Sequence, residues 1–181
     1  YELLLERHPE LRGEVNFLAF LVPSRTNISE YLDYQREIKT IVQRVNKTYG
    51  TSAWKPVTIF LEDNYLQALA GMRLYDVLLV NPIIDGMNLV AKEGPIINTK
   101  DGVLVLSETV GAHEQLQDGA LSVAPTDIYG TAQALYTALT MPREERRRRS
   151  ELLIDLIEQA DVIEWLTQQM LDLRAIAKLA P

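Results

Sequence analysis

Short apolar runs alternate along the chain with longer stretches that have the periodicity of amphipathic helices. Five runs have the length and composition of strands, at 15–22, 57–61, 77–80, 103–107 and 120–124. Most of their positions are apolar without alternation, which is typical of strands buried on both faces of a parallel sheet. Helical patterns separate these runs. The pattern therefore predicts an α/β fold, with a parallel sheet flanked by helices.

Helical patterns with recognisable ends lie between and after the strand candidates. Their predicted ranges are 1–8, 29–49, 65–75, 87–93, 113–117, 128–139, 143–160 and 162–178. Gly94-Pro95 is expected to end the helix that begins at Met87, because both residues disfavour helix interiors. Asp127 and Asp161 are expected to cap the helices that follow them.

One segment, 76–93, combines a buried strand, a tight turn and the start of a helix. The apolar run ends at Asn81-Pro82, because proline cannot continue a central strand. Asp85-Gly86 then turns the chain into the helix. A turn at the carboxyl end of a parallel strand is the place where open α/β sheets bind ligands.

The start of this helix predicts an anion site. The backbone amides of Met87, Asn88 and Leu89 would have no partner inside the helix, and the helix dipole favours negative charge there. Gly86 would let a ligand approach the backbone closely. The pattern therefore suits a phosphate or a diphosphate.

Two carboxylates flank this anion site. Asp85 stands at its mouth and Glu93 lies two turns further on, so that each is available to bind hydroxyl groups. A polyol linked to a diphosphate would satisfy both features. The alternative is that Asp85 is only a helix N-cap and Glu93 only a solvated carboxylate.

Length, charge and cysteine content exclude several classes of protein. The 181 residues are enough for one domain, 1–181, which ends in the helices of 143–180. The net charge of -7 disfavours nucleic-acid binding, and no apolar run approaches the roughly 20 residues that span a bilayer. The absence of cysteine excludes disulfides, and with no signal peptide visible a cytoplasmic location is expected. Because Tyr1 falls within a helical pattern, we expect a piece of a longer protein.

The residues of the central segment carry a specific resemblance. The sequence DGMNLVAKE at 85–93 is followed by GVLVLSE at 102–108 and Gly111-Ala112, and it closely resembles the retaining glycosyltransferases of family 20. These are the trehalose-6-phosphate synthases and glucosylglycerol-phosphate synthases. Further matches fall in the same order at 22–25, 44–46, 49–50, 54 and 139–142. The resemblance covers nearly the whole chain.

The resemblance implies a fold and a role for each candidate residue. The chain is similar to the second, C-terminal Rossmann-like domain of a GT-B glycosyltransferase, which binds the sugar-nucleotide donor. Asp85 is the implied catalytic residue and would bond glucose hydroxyls, while Glu93 would hold the ribose. The implied donor-binding set also contains Gly86, Met87, Asn88, Leu89 and Val90, with Val90 near the base beside the strand end at Phe20-Leu21.

The implied reaction moves glucose from a nucleoside diphosphate to a phosphorylated acceptor with retention. The diphosphate leaving group needs electrostatic stabilisation, and neither a cofactor nor a metal is expected. The implied partners are the donor, the acceptor and an N-terminal domain of the same enzyme, with no nucleic acid or membrane. Whether the enzyme forms a homo-oligomer is left open.

The family's Arg and Lys that clamp the diphosphate precede any segment like 1–9. This chain alone is therefore expected to bind donor weakly and to be inactive.

Departures from the commoner pattern indicate a branch of the family. Gly94-Pro95 after the nonapeptide, with the sequence at 107–115, is more similar to glucosylglycerol-phosphate synthases than to trehalose-6-phosphate synthases. This leaves the base of the donor and the acceptor open, between glycerol 3-phosphate and glucose 6-phosphate. Two other functions are also open: a non-catalytic or regulatory relative, and an α/β nucleotide binder without sugar specificity.

Other polar residues have two interpretations each. His113 would touch a phosphate or a sugar hydroxyl, or it is a surface residue at a helix start. Arg25 would reach a cleft, or it pairs with an acidic residue of the next helix. The run 146–149 would bind phosphate, although a solvated helix face with i, i+4 glutamate partners is favoured.

Overall fold

A computed structural model describes residues 1–23, 28–160 and 162–179, and it consists of parallel strands flanked by helices. The strands are β1 (Phe17–Leu21), β2 (Val57–Leu61), β3 (Val77–Val80), β4 (Val103–Ser107) and β5 (Leu121–Val123). The helices are α1 (Glu2–Arg7), α2 (Ser29–Tyr49), α3 (Tyr65–Leu74), α4 (Leu89–Ile97), α5 (His113–Leu116), α6 (Ile128–Thr140), α7 (Arg143–Glu158) and α8 (Val162–Leu179). This confirms the predicted α/β class and the alternation of strands with helices.

The strands form two parallel sheets instead of one. β1 pairs with β2, and β3, β4 and β5 pair in that order. Within the described residues no strand pairing joins the two sheets. In a doubly wound sheet the second and third strands lie on one side of the first strand and the later strands on the other. The two sheets match those two sides, with no described strand in the position of the first.

Contacts on both faces connect β1 with the part of the fold that contains β3. On one face α3 crosses β1, since Gly71 lies directly against the ring of Phe20. The same helix then packs beside α4, which covers β3. On the other face the ring of Tyr1 stacks on Phe17 at 5.3 Å between centroids, and Tyr1 also packs against the core cluster that Val77 adjoins. Within the described residues β1 and β3 are not paired with each other, and α3 and Tyr1 contact elements on both sides of the gap between them.

The core is built on both faces of β4, in which every residue is buried. Leu104 and Leu106 point to one face, where they pack with Leu116, Leu153 and residues of β3 and α4. Val103 and Val105 point to the opposite face and pack with α1 and α6. This two-sided burial explains why the run lacks polar alternation.

Helix α4 differs from its prediction at both ends. It begins at Leu89 instead of Met87, with Asn88 as its N-cap in the left-handed region at φ 71°. It also continues through Gly94-Pro95 to Ile97, so the predicted end at these residues is wrong. Both residues are buried, and Gly94 packs so closely on the Leu78 side chain that a Cβ would lie 2.4 Å from it. Packing against β3 thus keeps the last turn helical despite the lost proline donor.

The C-terminal helices have different surroundings. In α7, Leu153 is fully buried and Ile157 packs against the core. In α8 the apolar side chains of Val162, Trp165 and Met170 are at least half exposed. The predicted cap Asp161 lies outside the described residues. None of the helices described here has both the length and the apolar character needed to cross a membrane.

Truncation of a β4 side chain tests the position of the core. We expect Leu104→Ala, at a site with no exposure, to lower the free energy of unfolding by about 2–5 kcal/mol, because the deletion leaves a cavity. Leu66→Ala, on α3 with 77% of its surface exposed, is the matched control and should change it by less than about 0.5 kcal/mol. Denaturant unfolding of both variants is the measurement. Equal losses would contradict the placement of the core on β4.

Candidate functional site

The turn that carries Asp85 is attached to the loop after β4. The Asp85 amide donates to the carbonyl of Thr109 at 3.3 Å, and the Gly111 amide donates to the carbonyl of Asp85 at 3.0 Å. One residue later, the Ala112 amide donates to the carbonyl of Met87 at 3.1 Å. The chain thus forms a short parallel bridge beyond the ends of β3 and β4. This bridge holds the turn at the carboxyl edge of the sheet, where the sequence predicted a ligand site.

The Asp85 carboxylate is oriented by its neighbours. Its Oδ1 accepts from the Met87 amide at 3.2 Å and its Oδ2 from the Asn88 side-chain amide at 3.1 Å. Asn88 in turn accepts the Ala91 amide at 3.1 Å and is the N-cap of α4. The alternative that Asp85 is only the N-cap is therefore wrong. Each carboxylate oxygen keeps a second lone pair, so Asp85 can still accept bonds from a ligand.

The predicted anion site is displaced along the chain. The amide predicted at Met87 is bonded to Asp85, and the first helical amides belong to Leu89 and Val90. Leu89 is 60% exposed, so this positive end of the helix dipole is accessible. A Cβ built on Gly86 would meet no described atom within 4 Å, which leaves its backbone open to a ligand.

The second predicted carboxylate, Glu93, is exposed on α4. It stands four residues after Leu89 and therefore on the same side of the helix as that first amide. Asp85 thus lies just before the start of α4, and Glu93 lies one turn into the helix. Their roles in binding stay predictions.

A close backbone contact forms one wall of the site. A Cβ built on Gly111 would lie 2.0 Å from the Gly86 carbonyl oxygen and 2.8 Å from its carbon. Only glycine permits this approach, because the atoms that it meets are backbone and cannot swing away. Gly111 therefore fixes the spacing between the turn and the β4 loop.

The histidine candidate has a partner on a neighbouring strand. His113 begins α5, and its Nε2 lies 2.8 Å from the Ser122 hydroxyl on β5. Its contact with a ligand stays a prediction. Arg25 lies outside the described residues.

The arginine run behaves mainly as a solvated helix face. Arg147 pairs with Glu151, while Arg148 and Arg149 both bond Glu145 at 2.7 Å. The Arg148 hydrogen bond, aided by Arg149, lowers the pKa of the Glu145 carboxyl to about 2. Arg146 departs from the pattern, because it donates to the carbonyl of Asp101 at 3.1 Å and pairs with Asp76, outside its own helix, at 3.5 Å. These contacts favour the solvated-face interpretation of the run.

Sequence reasoning missed two hydroxyl residues beside Asp85. Ser107, the last residue of β4, is fully buried, and Thr109 bonds the carbonyl of Ile83 just before the turn. The available signal was a Ser-x-Thr pattern at a strand end beside the candidate turn. Within the described residues, no group of three or more acidic or histidine side chains is arranged to hold a metal ion.

Two glycine substitutions separate the wall of the site from its open side. We expect Gly111→Ala to lower the free energy of unfolding by about 1–3 kcal/mol, because the new methyl group would force two backbone segments apart. Gly86→Ala has open space and is the control, with a change under about 0.5 kcal/mol. Denaturant unfolding measures both. A Gly111→Ala protein as stable as the control would show that the contact is not tight.

Comparison with known proteins places the chain in a family. The glycosyltransferase family 20 model matches residues 1–175. A trehalose-6-phosphate synthase from Sodalis glossinidius is 38% identical over 99% of this chain and 39% of its own length. A bifunctional trehalose-6-phosphate synthase/phosphatase from Thermoproteus tenax is 39% identical over 91% of this chain and 23% of its own length.

Solved structures agree with the family match. A UDP-forming α,α-trehalose-phosphate synthase from Burkholderia xenovorans superposes with a TM-score of 0.90 at 33% identity, over 97% of this chain and 40% of its own. An E. coli trehalose-6-phosphate structure bound with UDP-2-fluoro glucose gives a TM-score of 0.90 at 35% identity, over 96% of this chain and 39% of its own. This chain therefore spans about two fifths of these solved chains. The chain belongs to glycosyltransferase family 20, and it is similar to part of the trehalose-6-phosphate synthases.

Proposed function

We propose that this chain is the donor-binding half of a retaining glucosyltransferase that uses a nucleoside diphosphate glucose. The observation that carries the proposal is the oriented Asp85 carboxylate beside the open amino end of α4. A carboxylate accepts hydroxyl protons, whereas a helix amino end attracts phosphate. A sugar joined to a diphosphate carries both groups. The UDP-2-fluoro glucose bound to the similar E. coli structure has the same chemistry.

The proposed roles follow the order of residues along the site. Asp85 bonds the glucose hydroxyls and is the catalytic residue, because it holds the sugar whose bond breaks. The backbone of 86–89 lies along the diphosphate, with Leu89 giving a free amide at the helix start. Glu93, one turn later, accepts bonds from the ribose, and Val90 packs near the base.

The chemistry that this half supplies is mainly electrostatic. When the bond between the anomeric carbon and the diphosphate breaks, its electron pair leaves on the diphosphate. Preorganised donors at that position lower the barrier, because they need no reorganisation as the charge develops. The amino end of α4 is such a group, since the Asn88 side chain already caps it by accepting from the Ala91 amide. This half contributes donor orientation and leaving-group stabilisation.

The remainder of the enzyme is proposed as the partner of this half. The chain spans 39% of the Sodalis glossinidius relative, so further segments of such an enzyme would supply the N-terminal domain and most of the acceptor site. We propose that the remainder of the enzyme also supplies a parallel strand that fills the gap between β1 and β3 and joins the two sheets. We therefore propose that residues 1–181 alone bind donor weakly and do not turn over.

The acceptor is proposed to be a phosphorylated sugar or polyol. Trehalose-6-phosphate synthases are the relatives reported above, which supports glucose 6-phosphate. Glycerol 3-phosphate is the second candidate, because Gly94-Pro95 and the segment 107–115 are more similar to the glucosylglycerol-phosphate synthases. Both segments adjoin the site, since one lies within α4 and the other contains the loop after β4.

A donor titration of the full-length enzyme tests the proposal. We expect one of UDP-glucose, GDP-glucose or ADP-glucose to bind, and Asp85→Asn to weaken that binding and to lower turnover by roughly 100-fold, as for the loss of two bonds to a charged group. Asp118→Asn removes an exposed carboxylate on the turn before β5, and it should leave both unchanged. Isothermal titration calorimetry measures donor binding, and the rate of product formation measures turnover.

Three results of the titration would contradict the proposal. Binding of no adduct would favour a regulatory relative that has kept only the fold. Equal affinity for the nucleoside diphosphate and its glucose adduct would indicate a nucleotide binder without sugar specificity. Full activity of the Asp85→Asn variant would remove Asp85 from its proposed role.

An acceptor assay separates the two candidate branches. We expect glucose 6-phosphate to be glucosylated with at least about tenfold higher kcat/KM than glycerol 3-phosphate, because an active site built around one acceptor leaves polar groups unpaired with the other. Full-length enzyme, the donor identified by titration and mass-spectrometric detection of both products are required. The reverse preference would assign the enzyme to the glucosylglycerol-phosphate branch.

A further inference from the structure

We propose that the side-chain hydroxyls of Ser107 and Thr109, here called the hydroxyl latch, position the Asp85 turn for donor binding. This inference rests on the proposed function and assigns it two positioning residues. Ser107 ends β4, and Thr109 follows two residues later in the loop that pairs with the turn. The latch therefore joins the most buried strand of the fold to the turn that carries the candidate catalytic residue.

The distances place both hydroxyls in one chain of hydrogen bonds. The Thr109 Oγ1 lies 2.6 Å from the Ile83 carbonyl oxygen and 3.4 Å from that of Pro82. The same Oγ1 lies 2.8 Å from the Ser107 Oγ. The Ser107 Oγ also accepts from the Thr109 amide at 3.3 Å. Both residues are thus bonded to each other and, through Thr109, to the backbone just before Asp85.

The direction of these bonds follows from the number of protons. A carbonyl oxygen can only accept, so Thr109 donates its single hydroxyl proton to Ile83. The short contact between the two hydroxyls then requires Ser107 to be the donor and Thr109 the acceptor. Because Ser107 is fully buried, no bulk water replaces this bond when it is lost.

The segment just before Asp85 needs such an attachment, because its apolar side chains do not anchor it in the core. Ile83 is 73% exposed and Ile84 is 82% exposed, so neither packs into the core. The facing loop is anchored differently, since Val110 and Ala112 are both buried in the cluster on β4. The latch and the backbone bridge therefore hold the exposed segment before Asp85 in a fixed position relative to the core.

Loss of the latch would act on donor binding through Asp85. Valine has the shape of threonine without the hydroxyl, so Thr109→Val would leave the buried Ser107 donor without its partner. Ile83 is exposed and its carbonyl would bond water, so its segment would lose the attachment to β4. The loop is then free to shift, and sites of this kind lose function when a binding group moves by about 1 Å. The acceptor site would lie mostly in another domain, so its affinity should not change.

The experiment uses the full-length enzyme with three variants. Thr109→Val removes the donor, Thr109→Ser keeps it, and Thr99→Val is the matched control. Thr99 also donates to a backbone carbonyl, that of Arg73 at 3.0 Å, but it lies in the connection before β4, away from the carboxyl edge. The measurements are the dissociation constant of the glucose adduct that the wild-type enzyme binds, KM for donor and acceptor separately, and amide hydrogen exchange over 83–88.

We expect Thr109→Val to weaken donor binding about fivefold, the equivalent of one net hydrogen bond. Donor KM should rise to the same extent while acceptor KM stays constant, and exchange over 83–88 should become faster. Thr109→Ser should restore all three quantities to within about twofold of wild type, and Thr99→Val should leave donor binding unchanged. A purely structural role would instead lower the amount of active enzyme without altering either KM.

Several results would overturn the latch. Donor binding by Thr109→Val that equals wild type would do so, as would a Thr109→Ser variant as weak as Thr109→Val. A rise in acceptor KM equal to the rise in donor KM would show that the effect is not local to the Asp85 turn. Failure of the proposed function is distinguishable, because the wild-type enzyme would then bind no adduct, whereas hydrogen exchange would still report whether Thr109 holds the loop.

Discussion

The fold and its candidate site both depend on the complete burial of β4. Its residues face a core cluster on each side, and its carboxyl end continues into the loop that pairs with the Asp85 turn. Burial of both faces removes apolar surface from water and leaves the strand no freedom to slide, because a shift by one residue would exchange the two clusters. The position of the loop, and through it the turn, is therefore set by the core.

The candidate site combines tightly constrained residues with neighbouring residues that are open to solvent. Gly111 must approach the Gly86 backbone closely, and Asn88 must adopt a left-handed conformation to cap α4. Such features cost conformational energy, and they persist where surrounding packing holds them. Beside them, Gly86 and Leu89 are left open to solvent. Rigid support next to an accessible backbone holds the groups of a candidate binding site in a fixed geometry.

The division into two sheets leaves strand edges without a described partner. β1 and β3 have no described pairing with each other, and Tyr1 and α3 contact elements on both sides of the gap between them. Unpaired strand edges are sites for pairing with another strand. The apolar side chains of α8 are exposed as well. The chain spans about two fifths of the length of its Sodalis glossinidius and Burkholderia xenovorans relatives.

The sequence determined the α/β class, the five strands, the ends of most helices and the location of the turn at Asp85, because apolar runs and caps are local signals. It did not determine the course of α4, where burial of Gly94 against Leu78 outweighs the usual effect of Gly-Pro. Tertiary structure also decided which residue caps that helix and how Thr109 bonds a carbonyl 26 residues away. Those outcomes depend on contacts between distant segments, which no local pattern encodes.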